Sequence, residues 1–291
     1  MFEYCAQPET LEGVVWLSCY MTTPKHINLY YSLVTVLALL LAAAPAALFF
    51  GFLGAFAKRS SVVPLKILGQ IYTGMVRGIP DIVFFLFVPI ALDQLFEIIR
   101  HKLFCPEVTE AIYQGNDFVV CQAAKLPLGG APEWVHDSYG FILAVIAFAL
   151  VFGAFAANVL SGALDSVPKG QLEAARAYGM SSGQAMLRIH LPQMWRYALP
   201  GLSNLWQLLI KATPLLFLIG VEDIVYWANT LGASKPPSPS TSYPHPDWRF
   251  YYFLALMVFY LVLSYASNRF FERIRRRVSK GVSVITVGKG L

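Results

Sequence analysis

Arg77, Asp81 and Lys211 stand inside long apolar runs. At membrane depth an ionised side chain is expensive, and it marks a substrate path, a buried pair or a structural repair. Arg77 opens the run Arg77-Gly78-Ile79-Pro80, a charge followed by two helix breakers. In one reading Arg77 lines a gate or holds a substrate carboxylate. In the other its five donors satisfy carbonyls freed by an unwound turn, or pair with Asp81. A carboxylate at Asp81 attracts a cationic solute unless Arg77 cancels its field. Lys211 and Thr213 precede Pro214, and they face a central pathway, form an internal pair or support a helix kink.

Residues 165–192, DSVPKGQLEAARAYGMSSGQAMLRIHLP, are a polar island between two apolar runs. Their chemistry is that of docking. Pro168 is placed to open a short helix and Gly179 to close it in a left-handed turn. Ser181 and Gln184 form a capping box for a second helix, which Pro192 is expected to stop. Leu172, Ala175 and Tyr178 recur at helical spacing and are expected to give an apolar docking face. Ala174 and Ala175 lack bulk, so a partner's backbone can approach. Glu173 is the principal functional candidate, although a Glu in a first helical turn also suits the helix dipole. An amphipathic helix lying on the bilayer is the plainer reading of this stretch.

Covalent chemistry finds no motif in the context that it needs. Gly288 and Lys289 resemble the end of a phosphate-binding loop, but Gly290 replaces its Ser or Thr and Gly281 lies too far upstream. HExxH does not occur, and Gly179-Met180-Ser181-Ser182-Gly183 fits GxSxG in letters only: it lies between two short helices rather than at a strand-to-helix turn, so no nucleophile elbow is expected. His136, His190 and His245 fall in different loops and are expected at the surface. We therefore expect a chain that is not an enzyme, with no ATPase site, cofactor or metal of its own.

These residues are carried by an integral membrane protein. The chain is 57% hydrophobic and 13% charged, where soluble domains carry about 25% charged residues. Its net charge of +5 clusters as an orientation signal rather than as a nucleic-acid surface. Met1–Gln7 lacks a basic stretch and carries Glu3, so no cleaved leader is expected. Val14–Tyr20 is too short to span. Five spans are expected at about Leu29–Ala57, Leu65–Leu92 (broken at Arg77–Pro80), Tyr139–Leu164, Tyr197–Gly220 and Trp248–Phe271. Pro45 is a candidate kink in the first. The connecting loop is expected over Asp93–Asp137, and Lys235–Pro246 reads as extended.

Glu173-Ala174-Ala175, then Gly179, then Ile189, Leu191 and Pro192 reproduce the spacing of the EAA motif of ABC-importer permeases. Tyr72–Pro80, YTGMVRGIP, and Gly153–Met180 resemble the polar amino acid subfamily, closest to permeases for histidine, lysine, arginine, glutamine and opines, from about residue 30 to 272. The resemblance implies an all-α type I ABC-importer permease of about five transmembrane helices. Its motif loop would be the coupling helix that docks on the ATPase subunit. It further implies two ABC ATPase subunits that bind ATP and Mg, a periplasmic substrate-binding protein and alternating access. Where relatives carry Glu, Arg and Asp, this chain has Asn158, Ser161 and Ala212. A second, sister permease supplying those charges is therefore favoured over a homodimer.

With the motif loop cytoplasmic, residues 1–28 and 93–137 lie on the periplasmic side of a bacterial inner membrane, and residues 165–192 and 273–291 on the cytoplasmic side. The spanning domain covers 29–272. Lys58, Arg59, Lys169, Arg176, Arg188, Arg196 and Arg273–Arg277 then obey the positive-inside rule. Cys5, Cys19, Cys105 and Cys121 all fall outside, in an oxidising compartment. Three pairings are possible, of which loop membership favours Cys5 with Cys19 and Cys105 with Cys121; free thiols are the alternative. Permeases for other small polar solutes, or a scaffold that has lost its pathway, are the alternative functions.

Overall fold

The computed structural model describes residue 5 and residues 11–108, 112–114, 117–126, 130–219, 222–238 and 242–278. It is built almost wholly of helices: α1 Gly13–Met21, α2 Pro24–Lys58, α3 Val63–Gly78, α4 Asp81–Phe104, α5 Glu133–Asp165, α6 Lys169–Ala177, α7 Ser182–Ala185, α8 Leu191–Ala212, α9 Ile224–Gly232 and α10 Arg249–Val278. A hairpin of two three-residue strands, Ile112–Gln114 and Asp117–Val119, lies between α4 and α5.

Four described helices are long and apolar enough to cross a membrane: Pro24–Lys58, Ile82–Phe104, Trp134–Asp165 and Arg249–Val278. A lipid-exposed helix satisfies its backbone internally and needs about 20 apolar residues to span. The expected second span is two helices, α3 and α4, separated where Ile79 turns extended ahead of Pro80. The residue before a proline is driven out of the helical region, and that clash makes the break. The expected fourth span is α8 followed by 3-10 turns over Thr213–Ile219. α8, which carries Arg196, Asn204, Gln207 and Lys211 along its length, is not among those four. The connection after α4 is shorter than Asp93–Asp137, because helix continues to Phe104 and resumes at Glu133. α2 runs through Pro45 without a break.

The core forms where α2 and α5 lie against each other for most of their length, flanked by α3, α4, α8 and α9. Their seam is lined by small residues. A Cβ on Gly51 would sit 2.8 Å from the Ala156 Cβ, and one on Gly153 would sit 2.7 Å from the Phe50 Cβ. In lipid, where apolar burial between helices gains little, such close approach supplies the packing energy. The Tyr72 hydroxyl crosses from α3 to donate to the Leu150 carbonyl at 2.7 Å. Val36, Leu39, Leu40, Phe84, Phe85, Phe148 and Phe152 fill the rest of this core.

The bundle has two distinct ends. At one, α2 ends, α3 begins and α5 runs into α6, with an Arg59–Asp165 ion pair between the first and third of these. At the other, α1 and the loop before α10 close over an aromatic cluster of Trp16, Tyr20, Tyr243 and Trp248, which the Cys5–Cys19 disulfide joins. A second disulfide, Cys105–Cys121, closes the α4–α5 connection. His101 lies beside it, and its Nδ1 accepts from the Cys121 amide at 3.0 Å. The two thiols are bonded to each other, so this trio offers a metal only an imidazole that is already engaged.

Candidate coupling loop and transport pathway

The α6–α7 knuckle is built by local backbone chemistry. Pro168 is the residue before α6, and its fixed φ of −58° starts the helix. At the other end Gly179 adopts φ +78°. The Met180 amide then donates to the Ala175 carbonyl at 3.0 Å, and the Gly179 amide to that of Arg176 at 2.9 Å. This pair is a Schellman closure, which only a residue without a Cβ adopts freely. Both halves of the Ser181–Gln184 capping box are formed, at 3.3 and 2.9 Å.

The helix does not stop at Pro192. α7 passes through a π-helical turn, Met186–His190, directly into α8, and Pro192 lies in the first turn of α8. The Leu191 amide reaches back to the Met186 carbonyl, a spacing of five residues that rearranges the ladder where a proline donor is missing.

Within the knuckle the expected docking face divides. Ala175 is buried and Leu172 half-buried, because this side of α6 packs on the π-helical turn. The outward side shows Glu173, Ala174 and Tyr178, the last 87% exposed. Ile189 and Leu191 are half-buried, and Leu191 packs against Met194 and Ala198 in a small core with Ala55, Leu160 and Leu164. Pro192 is exposed.

His190 is buried, contrary to the surface position expected, and its Nε2 lies 2.8 Å from the Leu164 carbonyl. That carbonyl belongs to the last turn of α5, which leaves acceptors without helical partners. The signal was present in the spacing: His190, Met194 and Ala198 recur every fourth residue, and all three are buried. His245 is buried as well, whereas His136 is exposed.

Polar residues at mid-bundle separate into two groups. Asn158 is tied into its own subunit, with its amide nitrogen donating to the Thr73 carbonyl at 2.9 Å and its oxygen accepting from Lys58 Nζ at 3.4 Å. Thr213 is fully buried; its hydroxyl donates to the Ile210 carbonyl at 2.9 Å and meets the Tyr260 hydroxyl at 3.0 Å. It supports the transition from α8 to 3-10 turns and does not line an open path. Lys211 by contrast is exposed in the last turn of α8. Arg77 and Asp81 flank the α3–α4 break, Arg77 one residue before the end of α3 and Asp81 at the start of α4. Their expected pairing concerns side chains outside those described.

The opposite end holds a chain of hydrogen bonds absent from the sequence reading. Thr23 Oγ1 meets His26 Nδ1 at 2.8 Å, His26 Nε2 meets the Tyr252 hydroxyl at 2.6 Å, and Tyr252 donates to the Tyr20 hydroxyl at 3.3 Å. Tyr20 in turn meets His245 Nε2 at 3.0 Å, and His245 Nδ1 faces the Pro246 carbonyl at 2.7 Å. The Pro246 carbonyl can only accept, so with both imidazoles neutral every bond runs one way, from Thr23 through His26, Tyr252, Tyr20 and His245 to Pro246. Burial holds His245 below its ordinary pKa, which fits that neutral form. Asp223, the residue before α9, accepts from the Val225 and Tyr226 amides through Oδ1 at 3.0 and 2.9 Å. Its Oδ2 has no partner among the described residues. Burial pushes this carboxyl up to about 6.

Residues 47–280 match the family of binding-protein-dependent transport system inner membrane components. The chain belongs to that family. Among curated relatives, this permease is 30% identical over 250 residues to the histidine/lysine/arginine/ornithine transport system permease protein HisQ of Salmonella typhimurium, an alignment covering 86% of the chain and 92% of the relative. It is 31% identical to the nopaline transport system permease protein NocQ of Agrobacterium fabrum, over 80% and 83% of the two chains. Among solved structures it resembles an amino acid ABC transporter crystallised with histidines, at a TM-score of 0.62 and 22% identity, covering 91% of this chain and all of the other. That likeness is one of fold. The permease is thus a multi-pass inner-membrane transport subunit of the type I ABC-importer fold.

Proposed function

We propose that this permease carries a cationic amino acid or an opine inward across the bacterial inner membrane, driven by ATP hydrolysis in partner subunits. The observation that carries the substrate class is the alignment over more than four-fifths of the chain with permeases named for histidine, lysine, arginine, ornithine and nopaline. The chain itself performs no covalent chemistry, and ATP and Mg are held by two ABC ATPases. A periplasmic binding protein delivers the substrate, and a sister permease completes a heterodimer. Exposed Lys211 supports association with a second permease subunit, whose surface would cover its charge.

The knuckle end faces the cytoplasm in this reading. Lys58, Arg59, Lys66, Lys169, Arg176, Arg188, Arg196 and the basic end of α10 gather there, and the positive-inside rule favours that side. Residue 5 and both disulfides then face the periplasm, whose oxidising chemistry suits them. Closure of the ATPases would push on Glu173, Ala174 and Tyr178. The closed, capped knuckle would pass that displacement through the π-helical turn to α8, while His190 braces the turn against α5. α8 would then move relative to the α2–α5 pair and reorient the path past Arg77, Asp81 and Lys211.

The test is ATP hydrolysis by the complex reconstituted in liposomes, with the cognate binding protein presenting arginine, lysine, histidine, glutamine or octopine in turn. Stimulation confined to the cationic amino acids or opines is expected. An assembled complex whose hydrolysis answers to none of these, or to glutamine alone, overturns the assigned substrate class.

A further inference from the structure

α10 carries one continuous outward stripe along its length. Val258, Leu261, Val262 and Tyr265 are all exposed on it, and helical periodicity places Arg269, Arg273 and Arg276 on the same side, within about 60° of Val258. The opposite side of the helix holds the buried Leu256 and Ser267. The stripe is thus apolar for its first two turns and basic for the next two. Arg269, Arg273 and Arg276 line one cleft of about 570 Å³ with Tyr265, Ala266 and Glu272.

The charged groups in this cleft are three arginines and one glutamate. Arg269 donates from Nε and Nη2 to the Tyr265 hydroxyl at 3.1 and 3.0 Å, and its guanidinium also lies 5.3 Å from the centre of that ring. These contacts hold the charge at the border between the apolar and basic parts. Glu272 brings a carboxylate into the cleft, but it pairs with Arg276 at 2.6 Å. Arg273 makes no ion pair among the described residues. Over residues 269–277 five arginines face one glutamate.

We propose that this stripe is a binding site for one anionic phospholipid, with acyl chains along Val258–Tyr265 and the phosphate between Arg269, Arg273 and Arg276. Charge complementarity identifies the headgroup, since guanidinium forks match phosphate oxygens. Continuity with an exposed apolar helix face, in a helix long enough to span, selects a lipid over a free anion. The inference requires that α10 crosses the bilayer with this stripe facing lipid, and it is independent of the substrate assignment.

The test is native mass spectrometry of the purified permease complex in detergent, titrated with phosphatidylglycerol and, separately, phosphatidylcholine. The intact complex is expected to retain phosphatidylglycerol selectively. The triple variant R269Q/R273Q/R276Q should bind it about a hundredfold more weakly, at a factor of about five per guanidinium. The double variant R275Q/R277Q, altered beside the stripe, should keep most of the affinity. Equal losses in the two variants mean diffuse attraction to a basic tail and overturn the site. So does equal retention of phosphatidylcholine, or competition by free glycerol phosphate at the lipid's own concentration. Loss of the ATPase subunits from the triple variant, with lipid retention unchanged, would instead make this a protein-docking face.

Discussion

His190 Nε2 and the Leu164 carbonyl, 2.8 Å apart and both in the buried interior, join the turn after the coupling loop to the final turn of α5. The bond sits between the two helices that leave the knuckle, so it bears on both stability and coupling. Replacing His190 with Leu leaves a buried acceptor unmade, a loss of about 1–3 kcal/mol. His190→Gln, which can still donate, should recover part of it. Thermal unfolding of the purified permease measures the loss. ATP hydrolysed per substrate transported should rise in the Leu variant, and an unchanged ratio would show that the bond only stabilises the fold.

Glu173 and Gly179 test the knuckle from two directions. Glu173→Ala removes an exposed charge from a helix whose caps stay intact, so folding should change by less than about 0.5 kcal/mol. Transport should nevertheless fall at least about tenfold while the complex still hydrolyses ATP. Gly179→Val forces a branched side chain into φ +78°, at about 1–2 kcal/mol, and should disturb both the knuckle and ATPase attachment. Membrane insertion, co-purification of the ATPase and uptake by vesicles separate the two effects. Normal uptake by Glu173→Ala would remove this residue from the coupling assignment.

Asp223 sets a pH dependence. Its folded pKa, about 6, stands above the ordinary 3.8, so the folded state binds a proton more readily than the unfolded one. The stabilisation from that proton is complete below about 3.8 and is lost as pH rises through about 6. At pH 7.5 the buried charge destabilises the fold by on the order of 3 kcal/mol. Asp223→Asn keeps an oxygen to cap α9 without the charge. It should unfold at a higher temperature than the parent at pH 7.5, by a margin that shrinks to about a third at pH 4.5 and vanishes near pH 3. Parallel shifts at both pH values would mean that the carboxyl is not responsible.

The parts of this structure legible from sequence are those fixed by local rules. Ser181 with Gln184 and the left-handed Gly179 each depend on neighbours within a few residues, and both take the expected geometry. The chain's membrane character follows from composition alone. Local rules do not suffice where a distant partner decides the outcome. Pro192 carries a stop signal, yet the helix absorbs it by a π-helical turn packed on α6. Ala175 and Leu172 formed a plausible outer face, but the neighbouring turn covers them. His245, in a proline-rich loop, is buried because Tyr20 and Trp248 from other elements close around it. α9 was hidden by its short length and its place before that loop, although an aspartate ahead of Ile224-Val225-Tyr226-Trp227 is a helix-start signal.

The close seam between α2 and α5 has a mechanical meaning. Where Gly51 and Gly153 let backbones meet without room for one added methyl group, the two helices cannot slide or roll without colliding. They form the stator of the molecule. Displacement must be taken up where the backbone ladder is already interrupted: at Ile79–Pro80 between α3 and α4, at the π-helical turn before α8, and in the 3-10 turns after it. Those three interruptions all lie on helices that border the stator, so the moving half of the subunit is hinged onto a fixed one.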